Sequence, residues 1–247
     1  MSEEIDITES PWKGDKDEFR VFLSYEDSFH SETNQLATYL KFYGVDCFVA
    51  KYAPTPGEWL EQIKKALSTM DAFIPLITDT YHQKYWTNQE IGFAFAKEAL
   101  IIPIKFESKN PEGFIFTKTA ILSEWNTAPH QIVQELLKSS KSSKMIDALI
   151  KALEQNCGTF NQASIIKRLL DNTPNLKFSN QQAQNLIFAF YQNDQVGGCD
   201  DFCGKYQEKY GKPLIELLQR LTHDVYNIEE EGVVSRTDRA KRIKKVT

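Results

Sequence analysis

The sequence lacks long hydrophobic runs. No stretch of its 247 residues approaches the roughly 18 consecutive apolar residues that a membrane-spanning helix needs. Its first twenty residues are acidic and polar and contain no apolar segment of the kind found in a secretory signal. We therefore expect a cytoplasmic protein with no membrane partner.

Cysteine and histidine are also scarce. Of the four cysteines (Cys47, Cys157, Cys199 and Cys203), only the last two lie close together, and the four histidines are scattered along the chain. A structural zinc site uses four ligands, and widely spaced cysteines are typical of a reducing compartment. We expect free thiols and neither a metal nor a resident cofactor.

No strong excess of charge is present either. The net charge is −5, which makes nucleic acid an unexpected partner. Hydrophobic residues make up 41% of the chain and charged residues 26%, values that are ordinary for folded globular proteins and leave the functional class open. The length suits one large domain or two modest ones.

The first half alternates short apolar runs with helical periodicity. Predicted helices run from Leu36 towards Gly44, from Trp59 to Met70, and from Trp86 through Ile91, Ala94 and Phe95. The predicted strands cover residues 20–25, 45–50, 72–77, 100–104 and, less distinctly, 119–122. Such an alternation of strand and helix predicts a parallel sheet covered by helices on both faces.

The segment 51–57 interrupts this alternation with Pro54, Pro56 and Gly57. Proline removes a backbone donor and glycine favours turns, so the segment predicts a loop and not the interior of a strand or helix.

The second half carries only helical periodicity, with a predicted break or exposed stretch at 139–144. The resulting division is a flexible leader over 1–17, an α/β domain over 18–128, a helical domain of unknown role over 129–228, and a basic tail over 229–247. The tail is interpreted as a solvated, frayed helix, with contact to phosphate or an acidic partner as the alternative.

Three motifs carry a family resemblance: Val21-Phe-Leu-Ser-Tyr25, Pro56-Gly-Glu-Trp59, and the helical segment from Trp86 to Ala94. Together they resemble the Toll/interleukin-1 receptor (TIR) domain family, in its bacterial NAD-consuming type. The resemblance implies an α/β, flavodoxin-like fold with a five-stranded parallel sheet, to which this chain adds a C-terminal all-helical domain.

The resemblance also implies that Glu90 is catalytic and that Trp86 binds the substrate, NAD⁺. On a helix, residues four apart share one face and lie about 6 Å apart at Cβ, so an indole and a carboxylate address the same ligand. Without the family context, the preferred explanation is that Glu90 is a first-turn glutamate favoured by the helix dipole and that Trp86 is a hydrophobic residue at the helix entry.

Ligands of open α/β sheets bind beyond the carboxyl ends of the strands, where the sequence places Ser24, Tyr25, Ala50 and Lys51 as substrate-binding candidates. Tyr25 either stacks on a base or packs against the loop, and Lys51 either pairs with phosphate or is solvated. No arginine stands beside the first-strand aromatic residue, which weakens the expectation of phosphate binding there.

The loop after the second strand corresponds to the family's assembly loop, represented by Tyr52, Pro54, Pro56 and Gly57; a rigid connector is the alternative. The family implies a homo-oligomer formed through the TIR domain, a product read by a downstream effector, and a role in antiviral defence. The competing hypothesis is a non-enzymatic module that recruits another TIR protein.

Overall fold

A computed structural model describes residues 10–50, 56–205, 210–228 and 243–245. The chain divides into two compact units. The first, here the sheet unit, comprises residues 1–41 and 45–132, and the second, the helical unit, comprises residues 42–44 and 133–247.

The sheet unit contains a parallel sheet with the order β2-β1-β3-β5-β6, in which β4 also pairs with β3. Its strands are β1 (Phe19–Ser24), β2 (Val45–Val49), β3 (Ala72–Ile77), β4 (Leu100–Ile101), β5 (Ile104–Lys105) and β6 (Ile121–Leu122). The flavodoxin-like parallel sheet predicted from the sequence is confirmed.

The predicted strand 100–104 is interrupted, and β4 and β5 are its two halves along β3. The break falls at Ile102 and Pro103. Proline has no N–H to donate to the ladder, although the carbonyl of Pro103 still accepts from the N–H of Ile121 at 2.9 Å.

Three helices connect these strands: α1 (His30–Lys41), α2 (Pro56–Thr69) and α3 (Tyr85–Ala96). The predicted loop over 51–57 extends too far, because Pro56 and Gly57 are already the first residues of α2. Proline is well suited to the first helical position, where its missing N–H would have no intrahelical partner. Residues 51–55 lie outside the described part of the chain.

A hydrophobic core lies between α2, α3 and the sheet. Its fully buried members include Phe22, Phe73 and Ile77 from the strands and Ala66 and Ala94 from the two helices. The predicted apolar stripe of α3 is wrong at Phe95, whose side chain is 47% exposed. Phe95 instead stacks on Phe114, with ring centroids 5.0 Å apart.

The predicted flexible leader is wrong for residues 10–17, and residues 1–9 lie outside the described part. Trp12 is buried in the core of the sheet unit, and its indole N–H donates to Thr69 Oγ1 at 2.8 Å. The N–H of Gly14 donates to Asp46 at 2.8 Å. Removing a large indole from water is favourable enough to order a polar segment around it.

In the second half of the chain, the helices are α4 (Ala128–Lys138), α5 (Ser142–Gln155), α6 (Phe160–Asp171), α7 (Asn180–Gln192), α8 (Asp194–Gly197), α9 (Asp200–Cys203) and α10 (Lys212–Thr222). The predicted break at 139–144 is confirmed by the gap between α4 and α5. A capping box begins α7, in which Ser179 and Gln182 satisfy each other's backbone N–H groups.

The predicted frayed helix of the tail is wrong where the structure describes it. Ile243–Lys245 forms β8, which pairs antiparallel with β7 (Tyr226–Ile228). Backbone pairing of an extended segment satisfies N–H and C=O groups that a frayed helix end leaves open. Within the described residues, no helix has the length and apolar character needed to cross a membrane.

We predict that Trp12→Ala destabilises the protein by about 3 kcal/mol, because the substitution leaves a cavity in the core and removes the hydrogen bond to Thr69. Chemical denaturation followed by circular dichroism measures the loss. Phe116→Ala is the control, since that side chain is 72% exposed and its removal leaves no cavity. Equal stability of the two variants would show that Trp12 belongs to a loose leader after all.

Candidate active site

A cavity of about 300 Å³ opens at the carboxyl ends of β1 and β2, next to the start of α3. This is the edge where open α/β sheets bind ligands. The cavity is lined by Leu23, Tyr25, Glu26, Asp27, Ala50, Trp59, Gln83, Lys84, Tyr85, Trp86, Thr87 and Glu90.

Glu90 is buried at the wall of this cavity, with only 7% of its surface exposed. It lies in the second turn of α3, which begins at Tyr85, and the first turn contains no acidic residue. The helix-dipole account of Glu90 therefore does not hold, because that effect is confined to the first turn. The hydroxyl of Ser24, at the end of β1, donates to Glu90 Oε2 at 2.5 Å.

Tyr81 extends this contact into a chain of hydrogen bonds. Its hydroxyl lies 2.7 Å from Ser24 Oγ, and because the proton of Ser24 is directed at Glu90, Tyr81 is the donor to Ser24. Thr87 Oγ1 donates to the carbonyl of Tyr81 at 2.7 Å and so ties this residue to the first turn of α3. This hydrogen-bond chain connects three segments of the fold. Tyr81 lies in the turn after β3, Ser24 is the last residue of β1, and Glu90 lies in α3.

The sequence patterns do not single out Tyr81, which lies in the mostly polar segment 80–85. Tyr81 is in fact fully buried, in a short 3₁₀ turn over residues 81–83. The available signal was a single aromatic residue inside a polar stretch, which does not by itself distinguish a buried tyrosine from an exposed one.

Burial raises the pKa of Glu90 to about 8, the hydrogen bond from Ser24 opposes this rise, and the negative charge of Asp27 adds to it. The carboxyl of the free protein is consequently protonated over most of the neutral range. A cation entering the cavity favours the carboxylate, because an opposite charge nearby stabilises the ionised form.

Two tryptophans stand beside this carboxyl. Trp59 and Trp86 meet edge to face, with ring centroids 4.7 Å apart and an interplanar angle of 85°. Trp86 is 41% exposed and lines the cavity. An aromatic face next to a carboxylate is a favourable environment for a cationic ring.

Tyr25 is anchored at the edge of the cavity by its hydroxyl. This hydroxyl donates to the carbonyl of Ala50 at 2.5 Å and lies 2.5 Å from His30 Nδ1. A phenol has one proton and the carbonyl only accepts, so His30 donates from Nδ1. The ring of Tyr25 also lines the cavity, so stacking on a base and packing against the loop both stay predictions for this residue.

Glu26 and Lys84 form a second polar group on the same wall, which sequence reasoning also missed. The buried Glu26 carboxylate accepts from Thr78 Oγ1 at 3.0 Å and from Thr80, and Lys84 Nζ lies 3.5 Å away. Burial alone would raise the pKa of Glu26, but these hydrogen bonds, one from Ser28, and the charge of Lys84 together lower it. Of these two glutamates, Glu26 is thus held ionised and Glu90 is held neutral.

The structure brings Ser24, Tyr25, Ala50, Trp86 and Glu90 together at this one cavity and its wall. The other candidates, Lys51, Tyr52 and Pro54, lie outside the described residues, and Pro56 and Gly57 begin α2. Among the described residues, no group of three or more histidine, cysteine, aspartate or glutamate side chains is arranged to hold a metal ion.

Comparison with known proteins gives a family match at residues 21–137, to a model described as TIR domain. A similar solved structure is the TIR domain of the Toll-related receptor TRR-2 from Hydra magnipapillata, with 18% identity and a TM-score of 0.40. The match covers 48% of this chain and 98% of the Hydra chain. No curated protein matches the sequence.

We predict that Glu90→Gln stabilises the protein as the pH rises. Between pH 4.5 and about 8 the unfolded chain releases the Glu90 proton while the folded protein keeps it, so the wild type loses stability over this range. At about 1.4 kcal/mol per pKa unit, the loss at pH 8 is on the order of 5 kcal/mol. Glutamine is neutral at every pH, so the variant does not undergo this loss of stability.

Thermal unfolding of both proteins at pH 4 and pH 8 tests this prediction, and the gap between them should be small at pH 4 and large at pH 8. Glu124→Gln, at an exposed position, is the matched control for the change from glutamate to glutamine. A gap between wild type and Glu90→Gln that does not change with pH would mean that the pKa of Glu90 is the same in the folded and unfolded protein.

Proposed function

Since residues 21–137 of this chain are a TIR domain, we propose that the domain is an NAD⁺ glycohydrolase or cyclase with Glu90 as its catalytic residue. The supporting observation is the buried carboxyl of Glu90 on the wall of a cavity that also contains Trp86. The family resemblance assigns Glu90 to catalysis and Trp86 to substrate binding. NAD⁺ is the substrate and no resident cofactor is required.

The reaction breaks the bond between ribose C1′ and the pyridinium nitrogen. The bonding electron pair stays with the nitrogen, so nicotinamide leaves as a neutral molecule and needs no general acid. Water then adds to C1′ and loses a proton, which gives ADP-ribose. Addition of a nucleophile from the adenosine part of the same molecule instead gives a cyclic ADP-ribose isomer.

Glu90 supplies the charge that this reaction needs. The transition state resembles an oxocarbenium ion, as in glycoside hydrolysis, and a carboxylate placed beside the ribose stabilises its positive charge. The Tyr81–Ser24 hydrogen-bond chain holds one oxygen of Glu90 in place. The Trp59–Trp86 pair offers an aromatic wall for the pyridinium ring before it leaves.

We expect wild-type protein at high concentration to release nicotinamide from NAD⁺, and Glu90→Gln to lower kcat by roughly 100-fold or more, because the neutral amide cannot balance the developing charge. Chromatography with mass analysis follows both products and separates linear from cyclic ADP-ribose. Glu124→Gln should retain wild-type turnover. An assembled wild-type protein that leaves NAD⁺ intact contradicts the proposal.

The pH dependence gives an independent check. Because Glu90 must be ionised to act and its pKa in the free protein is about 8, kcat/KM should rise with pH and level off above that value. The pyridinium charge favours the carboxylate, so the corresponding pKa in the kcat profile should be lower. A kcat/KM profile that is flat between pH 5 and pH 9 assigns the essential charge to another group.

A non-enzymatic TIR–TIR interaction module is the second candidate. It is favoured by exposed aromatic side chains on α3 and at the 3₁₀ turn over residues 113–115: Phe95, which is 47% exposed, Phe114 at 61% and Phe116 at 72%. Phe95 and Phe114 stack on each other, and exposed apolar surface of this kind is typical of interaction sites. Partner recruitment that survives Glu90→Gln and is lost on Phe114→Ser would support this candidate.

Self-association belongs to both candidates, and for the enzyme we expect it to control activity. Turnover per molecule should increase with protein concentration, because the family completes its active site with a neighbouring subunit's loop. Light scattering run beside the assay relates rate to oligomer size. A strictly monomeric and fully active protein would contradict this expectation. By the same resemblance, we place the product in antiviral signalling, read by a downstream effector.

A further inference from the structure

The charges around the cavity are unequal. Among the described residues that line it, Glu26, Asp27 and Glu90 are acidic, and Lys84 is the one basic side chain. An acidic wall suits the pyridinium cation, but a dinucleotide also carries phosphates. Phosphate oxygens near this wall need a cation to offset the repulsion.

Lys84 is held at its backbone and not at its ammonium group. Its N–H donates to the carbonyl of Tyr81 at 3.3 Å, and its own carbonyl accepts from Asn88 Nδ2 at 2.9 Å. The side chain is 48% exposed, and Nζ lies 3.5 Å from Glu26 Oε1, which is longer than the roughly 2.7–2.9 Å of a charge-assisted hydrogen bond. An ammonium has three donors, so it has the capacity to bind another anion.

Glu26 does not depend on Lys84 for its hydrogen bonds. Thr78 and Thr80 both donate to its carboxylate, and Ser28 contributes a further hydrogen bond. When Lys84 turns towards a ligand, these three residues still satisfy Glu26. Lys84 can therefore bind another anion while the buried Glu26 carboxylate keeps its hydrogen bonds. A buried carboxylate without hydrogen bonds would carry a large desolvation penalty.

We propose that Lys84 binds a phosphate group of the substrate, giving up its pairing with Glu26, and so makes the site select phosphorylated pyridinium nucleosides over the unphosphorylated nucleoside. This inference rests on the proposed function, since it assigns a specificity-determining residue to the same cavity. The competing account is that Glu26–Lys84 is only a structural ion pair, which at this exposure contributes little.

The first experiment compares NAD⁺ with nicotinamide riboside, which has the same scissile bond and no phosphate. In Lys84→Met, the ratio of kcat/KM for NAD⁺ to kcat/KM for nicotinamide riboside should fall roughly tenfold or more, the change lying in KM for NAD⁺. High salt should reduce the same ratio in the wild type, because ions screen the phosphate contact. An unchanged ratio in Lys84→Met overturns the proposal.

Two control variants separate binding from structure. Lys64→Met removes another half-exposed lysine that pairs with a glutamate, Glu61, outside the cavity, and it should leave the ratio unchanged. Glu26→Gln frees Lys84 and should keep or increase the ratio. If Glu26→Gln and Lys84→Met instead depress both substrates alike, the pair is structural and Lys84 does not select phosphate.

A titration with ADP-ribose keeps this inference distinct from the proposed reaction. ADP-ribose has the phosphates but no pyridinium bond, so calorimetry of the full chain measures binding without turnover. Affinity that falls roughly tenfold in Lys84→Met supports the phosphate contact even if NAD⁺ is never cleaved. Equal affinity in the two proteins, or no binding by the wild type, overturns it.

Discussion

The polar contacts at the carboxyl ends of β1 and β3 depend on one buried carboxyl group, that of Glu90. Removing Glu90 from water penalises its charged form, and the hydroxyl of Ser24 offsets only part of that penalty. The hydroxyl of Tyr81 then has to satisfy Ser24, and Thr87 has to hold the segment that carries Tyr81. One ionisable side chain thereby sets requirements on the end of β1, on the turn after β3 and on the start of α3.

The fold meets these requirements because β1 and β3 are adjacent, parallel and in register, with Ser24 paired to Pro75. Parallel strands bring their carboxyl ends to one edge of the sheet, so residues far apart in sequence converge there on rigid elements. Ser24 and Glu90 are 66 positions apart in the chain but in hydrogen-bond contact. Glu26, just after β1, makes a second connection to the segment after β3, because its carboxylate accepts hydrogen bonds from Thr78 and Thr80.

Sequence patterns predict the strands and helices of the sheet unit but not the hydrogen bonds and ion pairs between its loops. The strands at 19–24, 45–49 and 72–77 follow from short apolar runs, and the Trp86–Glu90 spacing places both residues on one helix. Tyr81 and the Glu26–Lys84 pair left no periodic signal, because their partners come from other loops. Trp12 was misjudged for the same reason: its neighbours are acidic and polar, and only the assembled core shows where the indole is buried.

Keeping Glu90 neutral and Glu26 ionised gives the cavity two different responses to a ligand. Glu26 is held ionised by its hydrogen bonds and by Lys84, so its charge does not depend on the ligand, whereas Glu90 becomes charged when a cation lowers its pKa. Under the proposed reaction, the catalytic charge then develops mainly when a pyridinium ring occupies the cavity. Under the same proposal, the burial that penalises the charge of Glu90 also strengthens the attraction of that charge for an oxocarbenium ion, because a buried charge is screened less by water.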